Sequence, residues 1–274
     1  MDSSDTSGPR PSPLIDTSVS HSARVWNYWL GGKDNYPVDH EVGDQFAAVL
    51  PSVVELARAS RAFLARAVRY LAGEAGIRQF LDAGTGLPTA NNTHEVAQAT
   101  APECRIVYVD NDPLVLAHAR ALLTSAPEGV TDYVDADFHD PDTVLREAAR
   151  TLDFTQPIAL MAMGTMEHVM DIDEAYSIVN RLLDPMPSGS YLALNDPTTD
   201  GVHGEAMVEA CRLWNDSGGT PPVAVRSSQE IARFFDRVEL LEPGVVPVSF
   251  WRPDPSHLGT PVEVNAFGGV GRKP

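Results

Sequence analysis

From Ile77 onward the chain repeats a strand, a turn and a helix, and this alternation narrows the fold more than any other feature of the sequence. IRQFLDAG (77–84), RIVYVD (105–110), TDYVDAD (131–137), PIALMAMG (157–164) and SGSYLALN (188–195) are short runs of strand length and character. Between them lie ANNTHEVAQAT (90–100), PLVLAHARALL (113–123), DPDTVLREAARTL (140–152) and DEAYSIVNRLLD (173–184), each suited to a helix, with Asp140 or Asp142 able to cap the third. Strands joined through helices of this length pair in parallel through right-handed crossovers, so an α/β fold is expected. The last third departs from the rhythm. GEAMVEACRLWNDS (204–217) and SSQEIARFF (227–235) read as helices, VELLEP (238–243) as a short strand and VEVNAFGGVGRKP (262–274) as another.

Ahead of the alternating region we expect a disordered tail over residues 1–20, rich in Ser, Pro, Asp and Thr, and a helical extension over 21–75. A helix over Ser52–Ala72 follows from Val53, Leu56, Ala57, Phe63, Leu64, Ala67, Val68 and Leu71 falling on one face. Arg58, Arg61, Arg66 and Arg69 fall mostly elsewhere and read as a solvated basic face. Residues 76–274 form the expected ligand-binding domain. A net charge of −18 argues against nucleic acid as the main partner, which would need a concentrated basic surface. No apolar run has the length of a membrane span, and the N-terminus has neither the basic start nor the apolar stretch of a secretory signal, so a cytoplasmic protein is expected. Cys104 and Cys211 fit two reduced, buried thiols. No metal site is expected, since no His and carboxylate cluster has ligand spacing.

The chemistry gathers at the strand ends. The first strand runs into Asp82-Ala83-Gly84-Thr85-Gly86-Leu87-Pro88-Thr89, a turn that lets backbone approach a nucleotide closely. The second ends in Asp110, followed by Asn111 and Asp112, and an acid there can accept hydrogen bonds from both ribose hydroxyls. At adjacent strand tips the two features make one nucleoside site, with helix capping as the alternative for the acid. Thr89 stands where a dinucleotide fingerprint prefers glycine or alanine, and polar Asn91, Asn92 and Thr93 follow. That turn suits a ligand ending in an amino acid better than a diphosphate, with Asp82 placed for its ammonium. After the third strand, Asp137 can accept from an adenine amino group while Phe138 flanks the base, although an N-cap or turn role for Asp137 stays open. The fourth strand runs into Met163-Gly164-Thr165-Met166-Glu167-His168, an ionisable pair beside a flexible turn, with a purely structural His168 as the alternative.

As an ordered set, DAGTG, YVDND, DADF, GTMEHVMDIDEA and LLDPMPSGSYLALN resemble the motifs of class I S-adenosylmethionine-dependent methyltransferases over roughly residues 77–195. ARVWNYWLGGKDNYPVD (23–39) and the terminal GGVGRKP (268–274) resemble a narrower group, actinobacterial S-adenosyl methyltransferase-family proteins of largely unassigned substrate. The resemblance implies a Rossmann-like, mostly parallel seven-stranded sheet whose last strand runs antiparallel between strands five and six. It implies S-adenosylmethionine as cofactor, with Asp82, Gly84, Thr85 and Gly86 around the methionine moiety, Asp110 and Asn111 at the ribose, Asp137 and Phe138 at the adenine, and Met163 and Gly164 lining the sulfonium. Leu87-Pro88 stands where many class I members carry a third glycine.

Methyl transfer is an in-line displacement for which the protein supplies alignment and desolvation, with a base only where the acceptor carries a proton. Glu167, His168, His203 and Asp196 could serve, and the acceptor is expected to be a small molecule. The aromatic segment 21–39 is expected to close over the cofactor with Tyr28, Lys33 or Tyr36 facing the ligand, or else only to fasten a helix to the core. A non-catalytic S-adenosylmethionine-binding regulator and a nicotinamide-dependent oxidoreductase are the alternative functions. Oligomeric state has no signature in the sequence.

Overall fold

A computed structural model describes residues 15–122, 125–254 and 261–274. Most of the tail expected to be disordered, residues 1–14, lies outside the described residues. Three helices come first: α1 (Ser22–Trp29), α2 (Pro37–Val49) and α3 (Val53–Gly73). The predicted apolar stripe of α3 is buried throughout, from Val53 to Leu71. Its arginines divide. Arg58 and Arg69 face solvent, whereas Arg66 turns inward to donate to the carbonyls of Trp251 and Val248 at 2.9 and 2.6 Å. The basic face is therefore only half solvated.

The alternating region forms β1 (Gln79–Ala83), α4 (Thr93–Thr100), β2 (Arg105–Asp110), α5 (Pro113–Leu122), β3 (Val130–Asp135), α6 (Pro141–Ala148), β4 (Ala159–Met163), α7 (Ile172–Leu183) and β5 (Tyr191–Pro197). Of the two candidate caps for α6, Asp140 takes the role, accepting from the Thr143 N–H at 3.1 Å. After α8 (Gly204–Asp216) and α9 (Ser228–Arg233) come β6 (Glu239–Leu240), β7 (Val246–Pro247) and β8 (Ala266–Arg272). The sheet order is β3-β2-β1-β4-β5-β8-β6, parallel from β1 to β5. β8 runs antiparallel between β5 and β6, as the resemblance implied. The sheet has eight strands rather than seven because the two-residue β7 also pairs with β8.

Strand side chains alternate between two cores. Phe80, Ile106, Tyr108, Ala159, Met161 and Ala193 face the α3 side, while Leu81, Val107, Val109, Leu160, Ala162 and Leu194 face α6, α7 and α9. Burial on both faces is what a parallel sheet with helical crossovers requires. The strand order reverses between β1 and β4, and a crevice opens at that switch point beyond the carboxyl ends of the strands. Among the described residues no helix is long and apolar enough to cross a membrane.

Candidate functional site

A cleft of about 140 Å³ fills this crevice. The turn after β1 forms its floor. Gly84 sits at φ +71°, and a Cβ there would meet the Thr165 side chain at 2.4 Å, so only glycine lets the turn pass beneath that residue. The Gly84 N–H donates to the Val109 carbonyl at 2.9 Å. At the tip of β2, Asp110 accepts from the Gly86 N–H at 2.8 Å and the Asp112 N–H at 2.9 Å. One carboxylate thus ties the glycine turn to the neighbouring strand.

Gly84, Thr85, Gly86, Asp110, Asn111, Phe138, Met163, Gly164 and His168 all line the cleft, as their sequence positions suggested. Asp82 does not. It shares the sheet face of Phe80 rather than of Leu81, and its carboxylate is buried against α4, accepting from the Thr93 hydroxyl at 2.6 Å. Asp137 also lies off the cleft; it is exposed and accepts from the His139 N–H at 2.9 Å, which is the turn role.

The N-terminal segment reaches the cleft through residues the sequence reading missed. His21, Ser22, Ala23, Trp26, Asn27 and Leu30 line it, whereas Tyr28, Lys33 and Tyr36 do not. Tyr28 faces the other way, stacked on His40 with ring centroids 4.4 Å apart and donating to Asp44 at 2.8 Å. Tyr36 packs beside Leu87, Leu114 and Val115, under the Arg24 guanidinium. The signal was helical spacing: positions 22, 23, 26, 27 and 30 share one face of α1, and position 28 lies nearly opposite 26. Two contacts hold this helix in place. Arg24 pairs with Asp39 of α2 at 3.2 Å, and His21 Nδ1 lies 3.1 Å from an Asp112 oxygen just past β2.

Arg61 was missed too. From α3 its guanidinium lines the cleft and donates to the carbonyls of Ala90 and Asn91 at 3.2 and 3.1 Å. Its Nε is buried without a partner. Burial pushes the Asp82 and Asp110 carboxyls up to about 6, each opposed by its own hydrogen bonds.

Glu167 and His168 lie on a 3₁₀ turn (Met166–His168), and of the two only His168 lines the cleft. His168 Nδ1 donates to the Pro222 carbonyl at 3.1 Å, which leaves Nε2 as the lone-pair nitrogen, 3.7 Å from a Glu167 oxygen. Burial pushes His168 down to about 4, so the ring is neutral at ordinary pH. Burial, reinforced by Asp196, pushes the Glu167 carboxyl well up despite Arg226 nearby. Asp196 is not free to act as a base, because Arg226 pairs with it at 3.1 Å inside the protein. His203 precedes α8, away from the cleft lining. Among the described residues no three His, Cys, Asp or Glu side chains converge on a metal-sized site.

The sequence matches a family model described as S-adenosyl methyltransferase over residues 9–274. Among solved structures, a DUF574-family protein from Streptomyces avermitilis is 45% identical, the match covering 95% of this chain and 100% of that one at a TM-score of 0.90. A candidate methyltransferase from Thermobifida fusca is 40% identical, with 97% and 99% covered and a TM-score of 0.85. An O-methyltransferase family 2 protein from Planctomyces limnophilus, at 12% identity with 82% and 60% covered and a TM-score of 0.50, shares the fold alone. No curated protein matches.

Proposed function

Because this chain belongs to the S-adenosyl methyltransferase family, we propose that it binds S-adenosylmethionine in the cleft and transfers the methyl group to a small-molecule acceptor. The observation that carries this reading is the pairing of two features in one glycine-floored cleft. Asp110 offers a carboxylate at the strand tip, and Arg61 offers a buried guanidinium nitrogen with no partner. A ribose diol suits the first, and the carboxylate of an amino-acid tail suits the second. Phe138 supplies an aromatic face for the base, and Met163 and Gly164 border the space between.

A dinucleotide fits less well. The helix after the glycine turn, α4, carries Glu95 in its first turn, bonded to the Asn92 N–H at 2.8 Å. An acid at that terminus repels a diphosphate and occupies a donor it would need.

When bound, S-adenosylmethionine supplies a methyl group on positively charged sulfur, which becomes a neutral thioether once an acceptor lone pair has taken the methyl. The residues of this chain orient, dry and deprotonate. α1, latched by Arg24–Asp39 and His21–Asp112, covers the cleft with Trp26 and excludes water. His168 Nε2, held by the bond from its other nitrogen to Pro222, takes the proton from a hydroxyl acceptor.

Binding should depend on pH with a definite sign. Between the ordinary value of 3.8 and about 6, the folded ligand-free protein holds protons on Asp82 and Asp110 that the unfolded chain releases. Their contribution to stability therefore falls as pH rises through that window. A ribose diol prefers the ionised carboxylate, so affinity for S-adenosylhomocysteine should weaken as pH falls below about 6, approaching about tenfold per pH unit. Calorimetry across this range on the wild type and Asp110→Asn checks the assignment. A flat wild-type profile, or an unchanged slope in the variant, would remove Asp110 from the ribose.

A further inference from the structure

A second cavity, of about 50 Å³, adjoins the cleft and shares Ser22 and Trp26 with it as a common wall. Its other walls are almost wholly apolar: Trp29 of α1, Phe46 of α2, Leu56 of α3, and Met207 and Trp214 of α8. Three buried polar side chains interrupt them, Ser60, Glu167 and Asn195. Ser60 Oγ and Asn195 Oδ1 have no hydrogen-bond partner, although Ser60 is only 7% exposed and Asn195 only 2%. Most buried side-chain polar groups in native interiors have a partner. Three buried polar residues, two of them with an unpaired atom, lining an aromatic-walled cavity have the pattern of a small-molecule site, apolar walls with a few polar groups.

We propose that this cavity holds the methyl acceptor, and that the acceptor is a small neutral phenol, its ring between the tryptophans and its hydroxyl among Ser60, Asn195 and Glu167. The proposal rests on the cofactor reading above and adds to it the class of substrate. Position supports it. The Asn195 backbone carbonyl accepts from the Gly164 N–H at 2.8 Å, Asn195 pairs with Met163 across the sheet, and Glu167 adjoins His168, so the polar residues of the cavity lie beside residues that border the cleft.

Size limits the occupant to one small ring: at about 10–15 Å³ for each water-sized group, 50 Å³ holds about three to five such groups, so the ring also occupies part of the adjoining cleft. Charge supports neutrality. A cationic amine would sit in a dry cavity next to the cofactor's positive sulfur, where like charges are poorly screened. A carboxylate would be buried with no cation among the described residues of the cavity wall. A hydroxyl both donates and accepts, matching the Asn195 carbonyl and the Ser60 hydroxyl together.

The test is a tryptophan-fluorescence titration of the full chain with p-cresol at saturating S-adenosylhomocysteine, with 4-methylbenzylamine and 4-methylbenzoate as charged comparisons. Two variants fill the cavity from different helices, Ser60→Leu of α3, which also removes an unpaired hydroxyl, and Met207→Phe of α8. Both are checked for cofactor affinity by calorimetry. The proposal expects saturable binding of p-cresol, much weaker binding of both charged analogues, and a loss of about tenfold or more in p-cresol affinity in either variant that still binds S-adenosylhomocysteine normally. It is overturned if the wild type binds S-adenosylhomocysteine but not p-cresol, if the amine or the acid binds as well as the phenol, or if the filled variants keep wild-type p-cresol affinity. Failure of the wild type to bind S-adenosylhomocysteine would strike the cofactor reading itself, and this proposal with it.

Discussion

Replacing Arg226 by Met should destabilise the protein by about 3–5 kcal/mol, the range for breaking a buried ion pair from one side. Arg226 donates to Asp196 at 3.1 Å and to the carbonyls of Met166 and Val169, all inside the protein. Methionine fills much of the volume but leaves Asp196 uncompensated and takes a donor from both carbonyls, of which Met166 keeps the Val169 N–H at 3.0 Å. At roughly 2–4 °C per kcal/mol for a chain of this size, the melting temperature should fall by about 6–20 °C. The deficit should itself depend on pH. Burial already pushes Asp196 up to about 7 with the guanidinium opposing it. Without the guanidinium the carboxyl rises further, so the folded variant must hold a proton that the unfolded chain releases. Stability of the variant relative to the wild type is then lost as pH rises, and much of it returns well below pH 7. Melting curves on both sides of that value test this; a pH-independent deficit would mean that lost packing, not the stranded acid, is responsible. The same substitution should loosen the 3₁₀ turn that carries Glu167 and His168, because Arg226 bonds the carbonyls on either side of them.

Asp110→Ala should cost about 2–3 kcal/mol of binding to S-adenosylhomocysteine, since hydrogen bonds to a charged acceptor lie at the upper end of the usual range. That corresponds to about 30- to 160-fold in affinity. Part of the loss is indirect, because the carboxylate also anchors the Gly86 N–H and so the course of the glycine turn. Asp110→Asn separates the two effects, as it keeps an oxygen for Gly86 while removing the charge. Melting curves near pH 7 distinguish lost binding from lost folding. Equal affinity in wild type and Asp110→Ala would sink the ribose assignment.

The parallel sheet was legible in the sequence because each strand is a compact apolar run closed by a polar strand tip. Arg105–Asp110 has the bounds its sequence suggested. α2 was not, because PVDHEVGDQFAAV mixes polar residues through its length; its start is set by Pro37 at the first turn and by Asp39, which accepts from the Tyr36 N–H at 2.9 Å. At the site, the glycine turn and Asp110 could be read because adjacent strand tips must meet at the switch point. The direction of a side chain is a further fact. Asp82 and Leu81 are neighbours in sequence yet face opposite sides of the sheet, and this sends Asp82 to Thr93 instead of the cleft. On α1 the same issue separates Trp26, which lines the cleft, from Tyr28, which bonds Asp44. Ser60 of α3 and Asn195 of β5 are far apart in sequence, and only the folded chain brings them to one cavity, with Arg61 beside Ser60 reaching the cleft.

The central claim is the mode of cofactor binding, and the most direct test is a crystal structure of the protein with S-adenosylhomocysteine. The account predicts the ribose hydroxyls on Asp110, the amino-acid carboxylate at the free Nε of Arg61, the adenine against Phe138, and the sulfur facing the wall formed by Ser22 and Trp26. Density for the nucleoside elsewhere on the molecule, or a cleft that takes NAD and not S-adenosylhomocysteine, would contradict it.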